Sequence, residues 1–479
     1  MKKRMAFLMV AAATLFPAGV MAVEPAVPAI TFSKLWTHSH TAIPGQVSEI
    51  SAFDRKTNTL WVAGVVGVDV LDAGTGELVE HIDITSYGAI NSVAIHNGLA
   101  AFAVEAAPDR RNPGMVLFYD TRTRLHSGPI NAVPVGPLPD MLTFTHNGRK
   151  LLVANEGTPN AVADTPYVSP DPAGSVSIID VETRSVIATA TLAGVPVSGD
   201  NARTNTGMDF EPEYIAVDED DRKAYVTLQE GNAMAVLDLR RHEFTRVFGL
   251  GAKDFSQPGN QIDPLDTVPP VVGFLSPDAK GLYMPDGLAV YERRGKTYLV
   301  MANEGDFRED NADRVAASTL GAVAPLNRLR VSSADSSAGN LFAAGARSFS
   351  IRNEDGGLVY DSGDFLDKKA AELGIYDDSR SRDKGVEPEG VALLDIAGRT
   401  YAFIGLERTL KGAVAVFDIT RPTEVRFVDI IVTDGDVSPE GLAAYQYRGD
   451  FFLAIANEVS RTTTLYKIEK ARRHSEHDD

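Results

Sequence analysis

Apolar residues along this chain fall into short runs of β-branched and aromatic side chains, broken every few residues by polar turns. Alternating or continuous runs of this length predict strands. Turns such as His146-Asn147-Gly148 and Asp218-Glu219-Asp220-Asp221 separate them. Helical spacing is confined to Phe365 to Leu373. The strands recur as one unit. A Pro or Ser and then an acid open the first strand, and a polar turn follows. A second strand ends in Ala-Asn-Glu or a relative, and a later strand ends in Asp. Ser438-Pro439-Glu440-Gly441 leading to Ala456-Asn457-Glu458 is the clearest copy. Other copies run from Glu387-Pro388-Glu389 to Glu407, Pro285-Asp286 to Glu304, Glu211-Pro212-Glu213 to Glu230, and Pro139-Asp140 to Glu156. Asn91 to Glu105 and Ser48-Glu49 to Gly64 are degenerate copies, which makes seven.

Seven all-β units predict a seven-bladed β-propeller with long inserted loops, near Gly194 to Gly207, Gly251 to Leu282 and Gly305 to Gly345. The last unit has three strands of its own, and Ile30 to His38 alternates like a strand. That segment is expected to complete the last blade and close the ring, so that no edge is left exposed.

Spacing decides where the acids go. It is 16 from Asp140 to Glu156, 17 from Glu213 to Glu230, and 18 for Asp286 to Glu304, Glu389 to Glu407 and Glu440 to Glu458. Two short strands and a turn account for each interval, so the first acid starts a strand and the second ends its antiparallel partner. Both then sit at one edge of the sheet. These ten acids are expected to crowd one mouth of a central channel, with Glu49 and Glu105 as additions. Like charges so placed repel, and compensation comes from a bound cation, nearby Arg or Lys, or retained protons. The ten are therefore candidate ligands for a divalent cation, Ca²⁺ above all, because hard cations take oxygen donors. Caps and ion pairs between blades are the structural alternative. Arg308, Arg408 and Arg461 follow second acids and are the candidate catalytic cations, should phosphate chemistry occur there.

Charge and composition narrow the partners. The net charge of −19 argues against nucleic acid and anionic membranes, which need a positive face. There is no cysteine, so neither a disulfide nor a thiolate contributes. Lys2, Lys3 and Arg4, the apolar stretch to Phe16 and the small residues before Ala22 predict a signal peptide over 1–22. A single propeller domain over 23–470 and a charged tail over 471–479 complete the expected layout, with a periplasmic or secreted product and no membrane insertion. Asp306, Glu309, Asp310 and Asp313 lack the spacing of a calcium loop and read as a solvated loop. Arg448-Gly449-Asp450 reads as an ordinary turn, and the nine His lack metal-ligand spacing. No nucleotide or organic cofactor motif is present.

The quoted repeats resemble the choice-of-anchor I family, through Leu138-Pro139-Asp140-Met141, Glu211-Pro212-Glu213-Tyr214, Tyr298 to Asp306, Glu387 to Gly390, Gly405 to Arg408, and Ser438 to Leu442 with Ala456 to Thr464. The resemblance implies an exported propeller and carries no assigned reaction. The expected function is a binding or scaffold module with a Ca²⁺ site at the acidic mouth, offered to an extracellular polymer, protein or phosphoester ligand. The alternatives are a metal-dependent phosphoesterase, with Glu304, Glu407 and Glu458 holding metal, and a calcium-dependent lactonase-type hydrolase.

Overall fold

A computed structural model describes residues 30–128, 132–158, 171–204, 210–308 and 313–471. The predicted signal segment, Glu309, Asp310 and almost all of the charged tail lie outside these residues. The strands assemble into seven sheets of four or five strands, in chain order, with two small accessory sheets. The arrangement is all-β and propeller-like.

Why it forms is visible in the burial of each strand. In the first sheet, Thr59–Gly64 is buried along its whole length and Gly67–Asp72 nearly so. Strands buried on both faces need packing above and below, and their continuous apolar runs supply it. Outer strands such as Ser185–Thr191 alternate instead, with one face in water. Seven apolar clusters result, each shared by two neighbouring sheets. Trp61 and Phe102 meet between the first and second sheets. Phe349 and Phe417 pack between the fifth and sixth, and Tyr401 and Leu453 lie between the sixth and seventh. Leu60, Val62 and Leu71 of the first sheet pack on Ala454 and Leu465 of the seventh. The first strands of successive sheets also lie side by side, and Pro439–Tyr447 of the seventh packs beside Ser51–Asp54 of the first.

The N-terminal strand spans Ile30–Ser39 and pairs antiparallel along Thr462–Lys470, from Ile30 opposite Lys470 to Ser39 opposite Thr462. His40, just beyond it, fixes this junction. One ring nitrogen lies 2.6 Å from Asp69 of the first sheet, and the other lies 2.8 Å from Thr463 of the seventh.

The insertions hold more structure than turn-rich sequence suggests. Lys280–Leu282 pairs with Ala252–Asp254 and runs parallel to Phe342–Ala343, which joins two insertions in one sheet. Phe255, Ile262, Leu329, Val331 and Leu341 give them a core of their own. Val197–Asp200 adds a parallel fifth strand to the fourth sheet. The one α-helix among the described residues covers Phe365–Glu372, within the stretch of helical spacing.

Candidate functional site

Each first acid stands where its sheet begins. In four sheets a Pro occupies the first paired position and the acid follows it, at an irregularity in the register: Pro139 to Leu142, Pro212 to Ile215, Pro388 to Val391 and Pro439 to Leu442. A bulge there re-aims a side chain that regular pleating would direct elsewhere. Leu138, Glu387 and Ser438, which precede three of these prolines, have positive φ, as does Met284 before Pro285. Non-glycine residues seldom adopt this conformation, and the recurrence marks a built, strained entry to the strand.

The second acids return to the same edge. The N–H of Glu156 donates to the carbonyl of Leu138, that of Glu407 to Glu387, and that of Glu458 to Ser438, at 2.8–3.0 Å. Glu105 does the same with Ala89. Glycines then bring the sheets together. A Cβ on Gly287 would lie 2.2 Å from the carbonyl oxygen of Glu389, one on Gly390 2.1 Å from that of Glu440, and one on Gly441 2.2 Å from that of Glu49. No side chain fits in these spaces, so the glycines after Asp286, Glu389 and Glu440 permit the next first acid to approach.

The result is one cavity of about 540 Å³ lined by Asp140, Glu213, Asp286, Glu304, Glu389, Glu407, Glu440 and Glu458. Asp306, Arg110, Arg408 and Tyr214 also line it. Glu156 and Glu230 are not part of this lining, but after burial their charges help to raise the pKa of Glu213. Pairing of Pro212 with Leu228 puts Gln229, the next residue, at the second-acid position of the fourth sheet, with Glu230 one step beyond. Gln229 donates to Glu304 at 2.7 Å. In the second sheet Asn91 takes the first-acid position and donates to the carbonyl of Pro139 at 3.1 Å.

The carboxylates divide into two tiers. The outer tier is paired. Lys384, almost fully buried, reaches Glu304 at 2.6 Å and Glu387 at 3.0 Å. Arg408 binds Glu407 at 2.7 Å, and Arg380 binds Glu387 at 2.6 Å. Arg110 lies 3.1 Å from Glu105. Burial alone would raise the pKa of Glu387, but Lys384 and Arg380 together hold it below the ordinary value. One oxygen each of Glu304, Glu387 and Glu407 lie within 4.8 Å of one another, close enough to share a metal ion, yet the Lys384 ammonium already serves that place.

The inner tier consists of the first acids, and it is not paired. Among the described residues no ion pair within 4.0 Å forms to Glu49, Asp140, Glu213, Asp286, Glu389 or Glu440. Burial and then neighbouring carboxylates push Glu213, Asp286, Glu389 and Glu440 well above the ordinary range. Glu49 rises to about 8 by burial and by Glu458, Asp140 and Glu105. Burial carries Asp140 to about 6 against the opposing pull of Arg110. One oxygen of Glu389 is buried without a partner.

Sequence spacing had no access to Lys384 or Arg380, which enter from the excursion before the sixth sheet. The acids that precede Pro212 and Pro388 were legible as the motif Glu-Pro-Glu, although Glu211 and Glu387 were not counted among the site residues. Of the three arginines singled out, Arg408 lines the cavity, held by Glu407. Arg308 is buried against Asp171 at 2.5 Å, with Glu211 at 3.7 Å. Arg461 sits in the exposed turn before Thr462–Lys470, where its N–H donates to the carbonyl of Glu458 at 3.0 Å, and is not part of the lining. Arg448-Gly449 forms the hairpin turn between Tyr447 and Asp450.

An all-β, propeller-like chain with a carboxylate-lined cavity where its sheets converge is the class that fold and site define. Within that class, the chain belongs to the choice-of-anchor I family, whose domain matches residues 49–422. Solved structures support the fold alone. A chain of Kuenenia stuttgartiensis hydrazine synthase is similar at 12% identity and a TM-score of 0.53, over 88% of this chain and 96% of that one. A chain of the mitotic checkpoint complex is similar at 10% identity and a TM-score of 0.51, over 96% of this chain and 100% of that one. No curated protein matches the chain. No helix among the described residues is long and apolar enough to cross a membrane.

Proposed function

We propose that the protein is an exported seven-bladed propeller, closed by its N-terminal strand, that acts as a binding or scaffold module organised around a divalent cation at the acidic mouth. The observation that carries this reading is the inner tier: five half-buried first acids line one cavity, with Glu49 interacting by charge with two of them, Asp140 and Glu440, and none of the six is in an ion pair within 4.0 Å among the described residues. A fold that converges these groups keeps them protonated or neutralises them with a cation. Ca²⁺ suits the donor set, because it accepts six to eight oxygens in flexible geometry. Asp286, Glu389 and Glu440 are the proposed ligands, with Glu213 and Glu458 beside them. The outer tier has its own cations and serves as a frame.

Binding is favoured over phosphoester cleavage by the arginines. Arg308 is committed to buried carboxylates, Arg461 is not part of the lining, and the two arginines that do line the cavity, Arg408 and Arg110, are paired with Glu407 and Glu105 rather than held ready for transition-state charge. The test is thermal unfolding of chelator-stripped protein at pH 7.5 with and without Ca²⁺. A rise in melting temperature that saturates with Ca²⁺ and is lost in Glu389→Gln supports the reading. An unchanged temperature across metals removes it.

A further inference from the structure

Far from the acidic mouth, the chain gathers positive charge. A cavity of about 680 Å³ opens between two turns, Arg293 to Lys296 of the fifth sheet and Thr420 to Glu424 of the sixth. A smaller one of about 220 Å³ adjoins it and is lined by Arg399, Asp418 and Arg426. These turns close the ends of strands opposite the acids. Asp286 stands at the start of Leu288–Arg293 and Arg293 at its end, roughly 20 Å away at ~3.3 Å per residue.

The two cavities share six cations and two carboxylates in a protein of net charge −19. Both carboxylates are spoken for: Glu424 binds Arg421 at 2.8 Å and Asp418 binds Arg399 at 2.7 Å. Arg293 donates to the carbonyls of Gly398 and Thr420. Arg294, Lys296 and Arg426 are exposed, and none has a carboxylate within 4.0 Å among the described residues. Arg294 moreover occupies the first central position of a two-residue turn with φ 54°, ahead of Gly295 at φ 70°. Asn, Asp or Gly suit that position, so a long cation stands there against the local preference.

We infer that this basic cleft binds an anionic saccharide, one bearing sulfate, phosphate or carboxylate groups. Guanidinium forks recognise such groups in bidentate fashion. The Tyr298 ring and Pro422 line the same cleft and give a sugar ring an apolar face to lie on. A concave cleft between hairpins admits a chain or a terminal residue, whereas a flat bilayer meets the acidic remainder of the molecule. The site is independent of the cation at the mouth.

The test uses the full exported chain and four soluble probes: dextran sulfate, phosphorylated mannan, alginate and neutral dextran. Affinity is read by calorimetry at low and physiological salt. Binding to one or more anionic probes, weakened by salt and absent for neutral dextran, is expected, and the arms separate sulfate, phosphate and carboxylate recognition. The variant Arg294→Glu/Lys296→Glu/Arg426→Glu is expected to lose at least tenfold in affinity with an unchanged melting temperature. Arg122→Glu, an exposed change at the same end of another sheet, shifts it less than twofold. Chelator leaves it unaltered. The inference is overturned if no anionic probe binds at low salt, if neutral dextran binds as well as the anionic probes, or if Arg122→Glu weakens binding as much as the triple change.

Discussion

Two tiers of carboxylates share one cavity and obey opposite rules. In the outer tier buried carboxylates face cations supplied by the chain at Glu304, which meets Lys384, and at Glu407, which meets Arg408. In the inner tier Asp286, Glu389 and Glu440 are raised by burial and then by other carboxylates, outer ones such as Glu304 and Glu407 among them, with no ion pair of their own among the described residues. The difference teaches that acids at equivalent points of a repeat need not share a role. Outer acids hold the mouth together, while inner acids strain it until a proton or an external cation arrives.

The comparison can be broken in several ways, the most severe first. Removing residues 30–40 strips the antiparallel partner from Thr462–Lys470 and exposes a sheet edge, and the melting temperature should fall by more than about 10 °C. An unchanged value would refute the proposed closure. Lys384→Met leaves Glu304 and Glu387 buried without their shared ammonium. Denaturant unfolding should show a loss of about 3–5 kcal/mol, since breaking a buried pair strands a charge. That loss should shrink at pH 5, where Glu304, whose pKa burial raises to about 7, accepts a proton. Gly390→Ala forces a methyl group to within 2.1 Å of the Glu440 carbonyl and should cost about 2 kcal/mol or more. Gly398→Ala meets nothing within 4 Å and carries only the penalty of a positive φ, about 1 kcal/mol.

Smaller effects sharpen the contrast. Glu440→Gln, which removes an inner charge, should raise the cation-free melting temperature at pH 9 by a few degrees (~1 kcal/mol) and leave it unaltered at pH 5. Glu407→Gln, which also deprives Arg408 of its carboxylate, should raise it less, because Arg408 offsets part of the burial that raises Glu407. The pH dependence of the cation-free protein follows from the raised values. These carboxyls favour the fold when protonated, so their contribution is complete below the ordinary values of 4.5 and 3.8. It is lost as the pH climbs through about 6 for Asp140, about 7 for Glu304 and about 8 for Glu49. Melting scans between pH 5 and 9 should therefore decline without Ca²⁺ and flatten with it.

Much of this was legible in the chain. Period-2 runs and recurrent Pro-acid pairs gave the strands, the sheets and the common edge, because those features depend on contacts close in sequence. The fourth unit shows where counting stops. An interval of 17 pointed to Glu230, but pairing of Pro212 with Leu228 puts Gln229 at the equivalent place. A glutamate adjacent to a glutamine concealed a shift of one residue. Lys384 was invisible for a different reason: its partner Glu304 lies 80 residues away across an insertion, and no local pattern announces such a meeting. Likewise the core of Phe255 and Leu341 is assembled from two insertions, whose turn-rich sequences read as loops.

The central claim is that the inner carboxylates exchange protons for a divalent cation. Calorimetric titration of Ca²⁺ into stripped protein at pH 7.5, in two buffers of different ionisation enthalpy, measures binding and proton release together. The account predicts saturable binding with protons released, and loss of both in Glu389→Gln/Glu440→Gln. Absence of binding heat in either buffer, or binding with no proton release that survives the double change, would contradict it.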